Sequence, residues 1–186
     1  KLSLSDLWQS ITGAGSQVTD TILFNIRAPR MVLGAIVGAS LAISGACLQG
    51  LLRNPLADPG LIGITAGASL AVVFMIVLGD VFLARVPAFL VQAILPLAAF
   101  GGGLAVTITV LLAASLGGSY SAARLILVGV AITAIASAMI GIMVYMSTDQ
   151  QLRELTFWTM GSLAKSNWNT VLIACAAMIL SSLALL

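Results

Sequence analysis

Two arginines and a proline-rich turn are the residues whose types and spacing could do chemistry in this sequence. Arg27 and Arg30 stand three positions apart, which places both guanidinium groups on one face if the segment is helical. Pro29 disfavours helical backbone at Ala28, so an extended turn is the alternative. A planar guanidinium can bind a carboxylate through two parallel hydrogen bonds, and an arginine at the start of a span can also reach lipid headgroups.

The second candidate is the segment 54–60, for which the sequence predicts a rigid turn. It consists of Asn54, Pro55, Leu56, Ala57, Asp58, Pro59 and Gly60. The two prolines prevent a helix from continuing, and the glycine permits a sharp turn. The carboxylate of Asp58 could cap the positive N-terminal end of the next helix. From these residues alone, a structural turn is the simplest interpretation.

Other groups that perform chemistry are scarce. The sequence has no histidine, and its long apolar stretches contain no Asp, Glu, Lys or Arg. Membrane proteins that move protons or ions usually keep such costly residues at membrane depth. Neither lysine lies in a glycine-rich phosphate-binding loop. The sequence therefore predicts no catalytic residue, no metal site, no cofactor and no ATP site, and we expect that it is not an enzyme.

The elements that must position these residues are apolar helices. Of 186 residues, 60% are hydrophobic and 8% are charged, and the mean hydropathy is +1.14. Five stretches carry no charge: 31–52, 61–79, 88–116, 125–146 and 170–186. About 20 apolar residues suffice for a helix to cross a bilayer. The sequence therefore predicts an all-α, polytopic transmembrane bundle in a lipid bilayer, and its net charge of +2 gives no sign of a nucleic-acid partner.

Two regions follow from this division: an interfacial segment, 1–30, and a transmembrane bundle, 31–186. In the first, Ser3 and Asp6 resemble a capping box. Apolar residues follow at helical spacing: Leu4, Leu7, Trp8 and Ile11. A short amphipathic helix on the membrane surface is expected there, and a solvated loop is the alternative.

Small residues predict where the spans pack together. They recur at every fourth position of the first stretch: Gly34, Gly38, Ala42, Ala46 and Gly50. Gly63 and Gly67 repeat the spacing in the second stretch. Such stripes let two helix backbones approach closely, so we expect tight helix contacts along them. Pro96, inside the third stretch, predicts a kink and leaves open whether that stretch is one helix or two.

The stretch 27–68 carries a resemblance. It reads RAPRMVLGAIVGASLAISGACLQGLLRNPLADPGLIGITAGA. Its R-x-P-R, S-G-x-x-x-Q and N-P-L-A-D-P-G-L-x-G elements resemble the permease subunits of bacterial ABC importers for iron–siderophores, haem and vitamin B12, the FecCD/BtuC type. The segment FWTMGSL, 157–163, fits the same family.

The resemblance implies a homodimeric permease of the bacterial inner membrane with about ten spans per subunit, of which five are present here. It implies three partners: a second permease copy, cytoplasmic ATPase subunits and a periplasmic substrate-binding protein. Transport would proceed by alternating access, with a ferric siderophore as the favoured cargo and haem or cobalamin behind it. The alternatives are a channel or a secondary transporter that does not depend on ATP, and a purely structural scaffold.

The resemblance also implies roles for the candidate residues. Arg27 and Arg30 would dock the binding protein, although both could instead reach lipid headgroups or cap the bundle rim. Asn54 and Leu56 would help close the cytoplasmic mouth of the pathway. Six of the eight basic residues would then lie outside the cell membrane, opposite to the positive-inside rule. We follow the resemblance, because the rule weighs a whole protein and this chain is interpreted as a piece of one.

Overall fold

The computed structural model describes residues 4–13, 15–83, 87–115, 121–164 and 166–183, and within them every regular element is helical. The helices are α1 (Leu4–Ile11), α2 (Gln17–Asp20), α3 (Ala28–Leu52), α4 (Ile64–Leu83), α5 (Ala88–Ser115), α6 (Ala122–Met146), α7 (Asp149–Met160) and α8 (Trp168–Leu183). A π-helical segment, Thr21–Arg27, joins α2 to α3, and a 3₁₀ helix, Pro59–Ile62, precedes α4. The all-α class is confirmed.

Among the described residues, each of the five apolar stretches lies largely within one α-helix. In the described part of the chain, three helical segments are long and apolar enough to cross a membrane: Gln17–Leu52, Ala93–Ser115 and Ala122–Met146. Two shorter apolar helices, Ile64–Gly79 and Trp168–Leu183, accompany them. The third stretch is one helix despite Pro96 within it. The chain is therefore a multi-pass membrane protein.

The backbone around Pro29 is helical, so the extended-turn alternative is wrong. Ala28 has φ −57° and ψ −47°, and its N–H donates to the carbonyl of Leu23, five residues earlier. In an α-helix, the ring of Pro29 would clash with the carbonyl four residues before it. The wider π-helical turn ahead of the proline relieves that clash, which is why the helix passes through.

The chain forms two compact units, Gly45–Gly161 and Lys1–Ser44 with Ser162–Leu186. The boundaries of these units differ from the predicted division at residue 30. The placement of the segment 1–30 on the membrane surface stays a prediction. Ser3 of the expected capping box lies outside the described residues. In the unit that contains Lys1–Ser44, the Ser10 hydroxyl donates a hydrogen bond to the Asp20 carboxylate and so joins α1 to α2.

The core of the Gly45–Gly161 unit has two clusters. The first consists of buried Ile62, Val110, Ala114 and Leu125. The second consists of Val72, Val73, Ile76 and Leu155, which join α4 to the short helix α7. Close packing of these aliphatic side chains helps to hold the helices of this unit together.

Helices α4 and α5 cross at two glycines. A Cβ on Gly67 would lie 2.7 Å from the carbonyl oxygen of Gly102 and would also strike the Val106 side chain. A Cβ on Gly102 would lie 2.6 Å from that of Ala71. Real Cβ atoms do not approach other atoms so closely, so this crossing requires glycine on both helices.

Candidate functional site

The two candidate arginines have different surroundings. Arg27 ends the π-helical segment and is exposed, and its side chain forms no hydrogen bond or ion pair with a described residue. Arg30 is half-buried in the first turn of α3, and its Nη2 donates to the carbonyl oxygen of Ala164 at 2.8 Å. Its Nε is buried without a hydrogen-bond partner among the residues described. Of the pair, only Arg27 therefore presents its whole guanidinium to an outside partner.

The loop between α7 and α8 is the partner of this helix start. Its own bonds run from Ala164 N–H to Ser162 Oγ, 3.0 Å, and from Ser166 N–H to the Leu163 carbonyl, 3.1 Å. The indole Nε1 of Trp168, at the start of α8, donates to the Phe24 carbonyl at 2.9 Å. The motif FWTMGSL was noticed in the sequence, but nothing in it pointed to this contact.

The turn 54–60 is held by side chains that accept from its own backbone. Asn54 Oδ1 accepts from the N–H of Leu56 at 2.9 Å, and Asp58 Oδ1 accepts from that of Gly60 at 2.7 Å. Asp58 is the N-cap of the 3₁₀ helix that begins at Pro59, not of α4 itself. Asx bonds and prolines together leave this turn little conformational freedom.

The tip of the turn presents an apolar side chain. Leu56 is 84% exposed, whereas Ala57 beside it is buried. Gly63, with φ +83°, ends the 3₁₀ helix in the left-handed region and lets α4 start in a new direction. A Cβ there would lie 3.0 Å from Thr133 Oγ1 of α6. The turn therefore has a fixed backbone conformation and exposes the side chain of Leu56.

The small-residue stripe of the first stretch has open space beside it. A Cβ on Gly34 would touch Leu163 Cδ1 at 3.4 Å, but one on Gly38 or Gly50 would meet no described atom within 4 Å. Ala42 and Ala46, between them, are exposed. The predicted helix contact along this stripe is not formed by the described residues, and it stays a prediction.

Comparison with known proteins decides the family. The model of the FecCD transport family matches residues 1–186. The chain belongs to the FecCD transport family. Its sequence is 43% identical over 173 residues to the hemin transport system permease protein HmuU of Yersinia pestis, which covers 93% of this chain and 49% of that protein.

Further relatives of the FecCD chain are named for vitamin B12. The cobalamin import system permease protein BtuC of Halobacterium salinarum is 39% identical over 170 residues, covering 91% of this chain and 43% of the relative. The vitamin B12 import system permease protein BtuC of Vibrio cholerae is 37% identical over 176 residues, covering 95% and 51%. The chain spans about half the length of the curated relatives it matches.

The fold is also that of a solved transporter. The chain is similar to a protein described as a metal-chelate type ABC transporter in an inward-facing conformation, with a TM-score of 0.71 and 32% identity. The match covers 91% of this chain and 51% of that one. The resemblance inferred from the motifs is therefore confirmed.

Proposed function

We propose that this chain is part of the permease subunit of an ABC importer that moves a metal chelate from the periplasm to the cytoplasm of a bacterium. The observation that carries the proposal is the family match over residues 1–186. The named functions of HmuU and BtuC and the structural neighbour support it in the same direction. The membrane would be the inner membrane, and transport would proceed by alternating access.

The partners would be a second permease copy, cytoplasmic ATPase subunits and a periplasmic binding protein. Exposed apolar side chains on the described helices suit further membrane-embedded contacts, because large apolar residues such as Leu41, Phe100 and Tyr145 are exposed. The exposed cation of Arg27 suits an acidic site on the binding protein. The turn 54–60 would lie at the cytoplasmic mouth, where Leu56 helps to close the pathway.

Haem is the first chelate to test. Identity to the hemin permease is 43%, against 39% and 37% for the two vitamin B12 permeases. The ferric siderophore favoured from the motifs remains a prediction, and cobalamin is the third candidate. A binding pathway for such bulky cargo need not contain metal ligands, since the chelator already coordinates the metal.

The test is uptake by the full-length permease, reconstituted with its ATPase and binding protein in liposomes. Hemin, ferric enterobactin and cyanocobalamin are offered in turn, with and without internal ATP. We expect one of the three to accumulate only when ATP and both partners are present. Accumulation without the ATPase would overturn the proposal in favour of a channel or secondary transporter, and failure of all three would overturn the proposed cargo class.

A further inference from the structure

Three contacts join the π-helical segment and the start of α3 to the loop after α7 and the first residue of α8. Arg30 Nη2 donates to the Ala164 carbonyl at 2.8 Å, although 134 positions separate the two residues. Trp168 Nε1 donates to the Phe24 carbonyl at 2.9 Å across 144 positions. Leu163 packs at the site of Gly34, where an added Cβ would be 3.4 Å from its Cδ1. Two distant segments therefore form one surface.

Arg30 contributes to this surface as a hydrogen-bond donor. A carboxylate grips an arginine side-on through its Nε and one Nη. In Arg30 the Nε is buried and the Nη2 already serves a backbone carbonyl. That edge is closed to a docking carboxylate, whereas Arg27, one turn away, is exposed.

We propose that the two arginines have different roles in docking: Arg30 is a positioning residue that holds residues 162–164 against the start of α3, and Arg27 makes the charge contact with the binding protein. The inference rests on the proposed docking function and refines it, since the resemblance implied the same role for both arginines. Because the loop is already ordered before the binding protein docks, less conformational entropy is lost on binding.

The first arm of the test measures the loop without the binding protein. Hydrogen exchange is followed by mass spectrometry on peptides covering 161–168 and 22–28, in the full-length permease assembled with its ATPase in nanodiscs. In Arg30→Met we expect exchange of the loop to rise about 10-fold, equivalent to about 1.4 kcal/mol of lost local stability. Arg30→Lys, which can still donate to a carbonyl, should restore part of the protection. Arg27→Met, the matched loss of charge, should leave the loop unchanged.

The second arm measures the affinity for the binding protein encoded with the permease, at low and at high salt. Arg27→Met should weaken binding mainly at low salt, because exposed charge pairs are screened. Arg30→Met should weaken it about equally at both, because the loss is one of preorganisation. Co-purification with the ATPase verifies that each variant is assembled.

The outcomes separate the two hypotheses. Loop exchange that is the same in Arg30→Met and in the parent protein overturns the positioning role. Raised loop exchange with unaltered affinity in both variants overturns the docking function of this surface instead. Equal salt profiles for the two arginines would overturn their division of roles.

Discussion

At the residue scale, one glutamine links two helices of the Gly45–Gly161 unit. Gln151 Oε1 accepts from the N–H of Thr148, completing a capping box at the start of α7. Its Nε2 donates to the carbonyls of Ile76 and Val77 in α4, at 3.2 and 3.1 Å. The same side chain thus starts one helix and attaches it to another, and Leu155 one turn later is buried against α4.

The substitution Gln151→Glu keeps the capping hydrogen bond at the start of α7 and removes the two hydrogen bonds to α4. A carboxylate still accepts the capping hydrogen bond, but it cannot donate to the two carbonyls and would face their oxygens. We expect a loss of about 1–3 kcal/mol of stability, because two hydrogen bonds to α4 are lost and the carboxylate is repelled by the two carbonyl oxygens. Thermal unfolding of the full-length permease in detergent measures it. Gln150→Glu, at the exposed neighbouring position, is the control, and equal melting temperatures would show that the Gln151 bridge adds nothing.

At the element scale, the crossing of α4 and α5 depends on glycine. Gly102→Ala places a methyl group against the backbone of Gly67 and the Ala71 side chain. Overpacking of this kind typically costs about 1–3 kcal/mol, and backbone cannot move aside as a flexible side chain can. Melting temperature and monodispersity in detergent should both fall.

Gly101→Ala is the matched control for this prediction. An added Cβ at Gly101 meets no described atom within 4 Å, although the two glycines are neighbours in the same helix. Alanine is favoured over glycine in a helix by about 1 kcal/mol, so this variant should be neutral or stabilised. If Gly102→Ala is as stable as Gly101→Ala, the close crossing of α4 and α5 is not needed.

The stripe of α3 supports a second prediction about elements. Gly38 has open space on its side of the helix among the described residues, while the relatives are about twice as long as this chain. We expect a further helix of the full-length permease to pack there, so Gly38→Leu should lower its yield and stability by overpacking. Val37→Leu, on a neighbouring exposed position, should not. Equal stability of both variants would place the stripe against lipid or a cavity.

At the scale of the whole molecule, the family scheme and the positive-inside rule predict opposite orientations of the chain in the membrane. The family scheme places the turn 54–60 in the cytoplasm, against the local count of basic residues. In a full-length permease freed of its native cysteines, a cysteine replacing Leu56, the 84% exposed tip, should react with an impermeant maleimide only after the inner membrane is permeabilised. A cysteine replacing exposed Gln17 should react once the outer membrane alone is opened. The reverse pattern would show that the charge rule was right.

The sequence by itself determined the helical class, the five apolar stretches and the rigid turn, because each follows from local chemistry. A run of apolar residues in lipid satisfies its backbone only as a helix, and a proline without an N–H interrupts helices wherever it has no compensation. Helices continue through Pro29 and Pro96, and at Pro29 the cause is local, since a π-helical turn lies directly before it.

Only the tertiary structure decided which groups meet. The bond from Arg30 to Ala164 spans 134 positions and the bridge from Gln151 to Ile76 spans 75. Hydropathy reports how apolar a helix is, but it does not encode where two helices cross or which carbonyl a side chain reaches. That is why two arginines of one motif looked equivalent in the sequence, while in the folded chain Arg30 holds a loop and Arg27 is exposed.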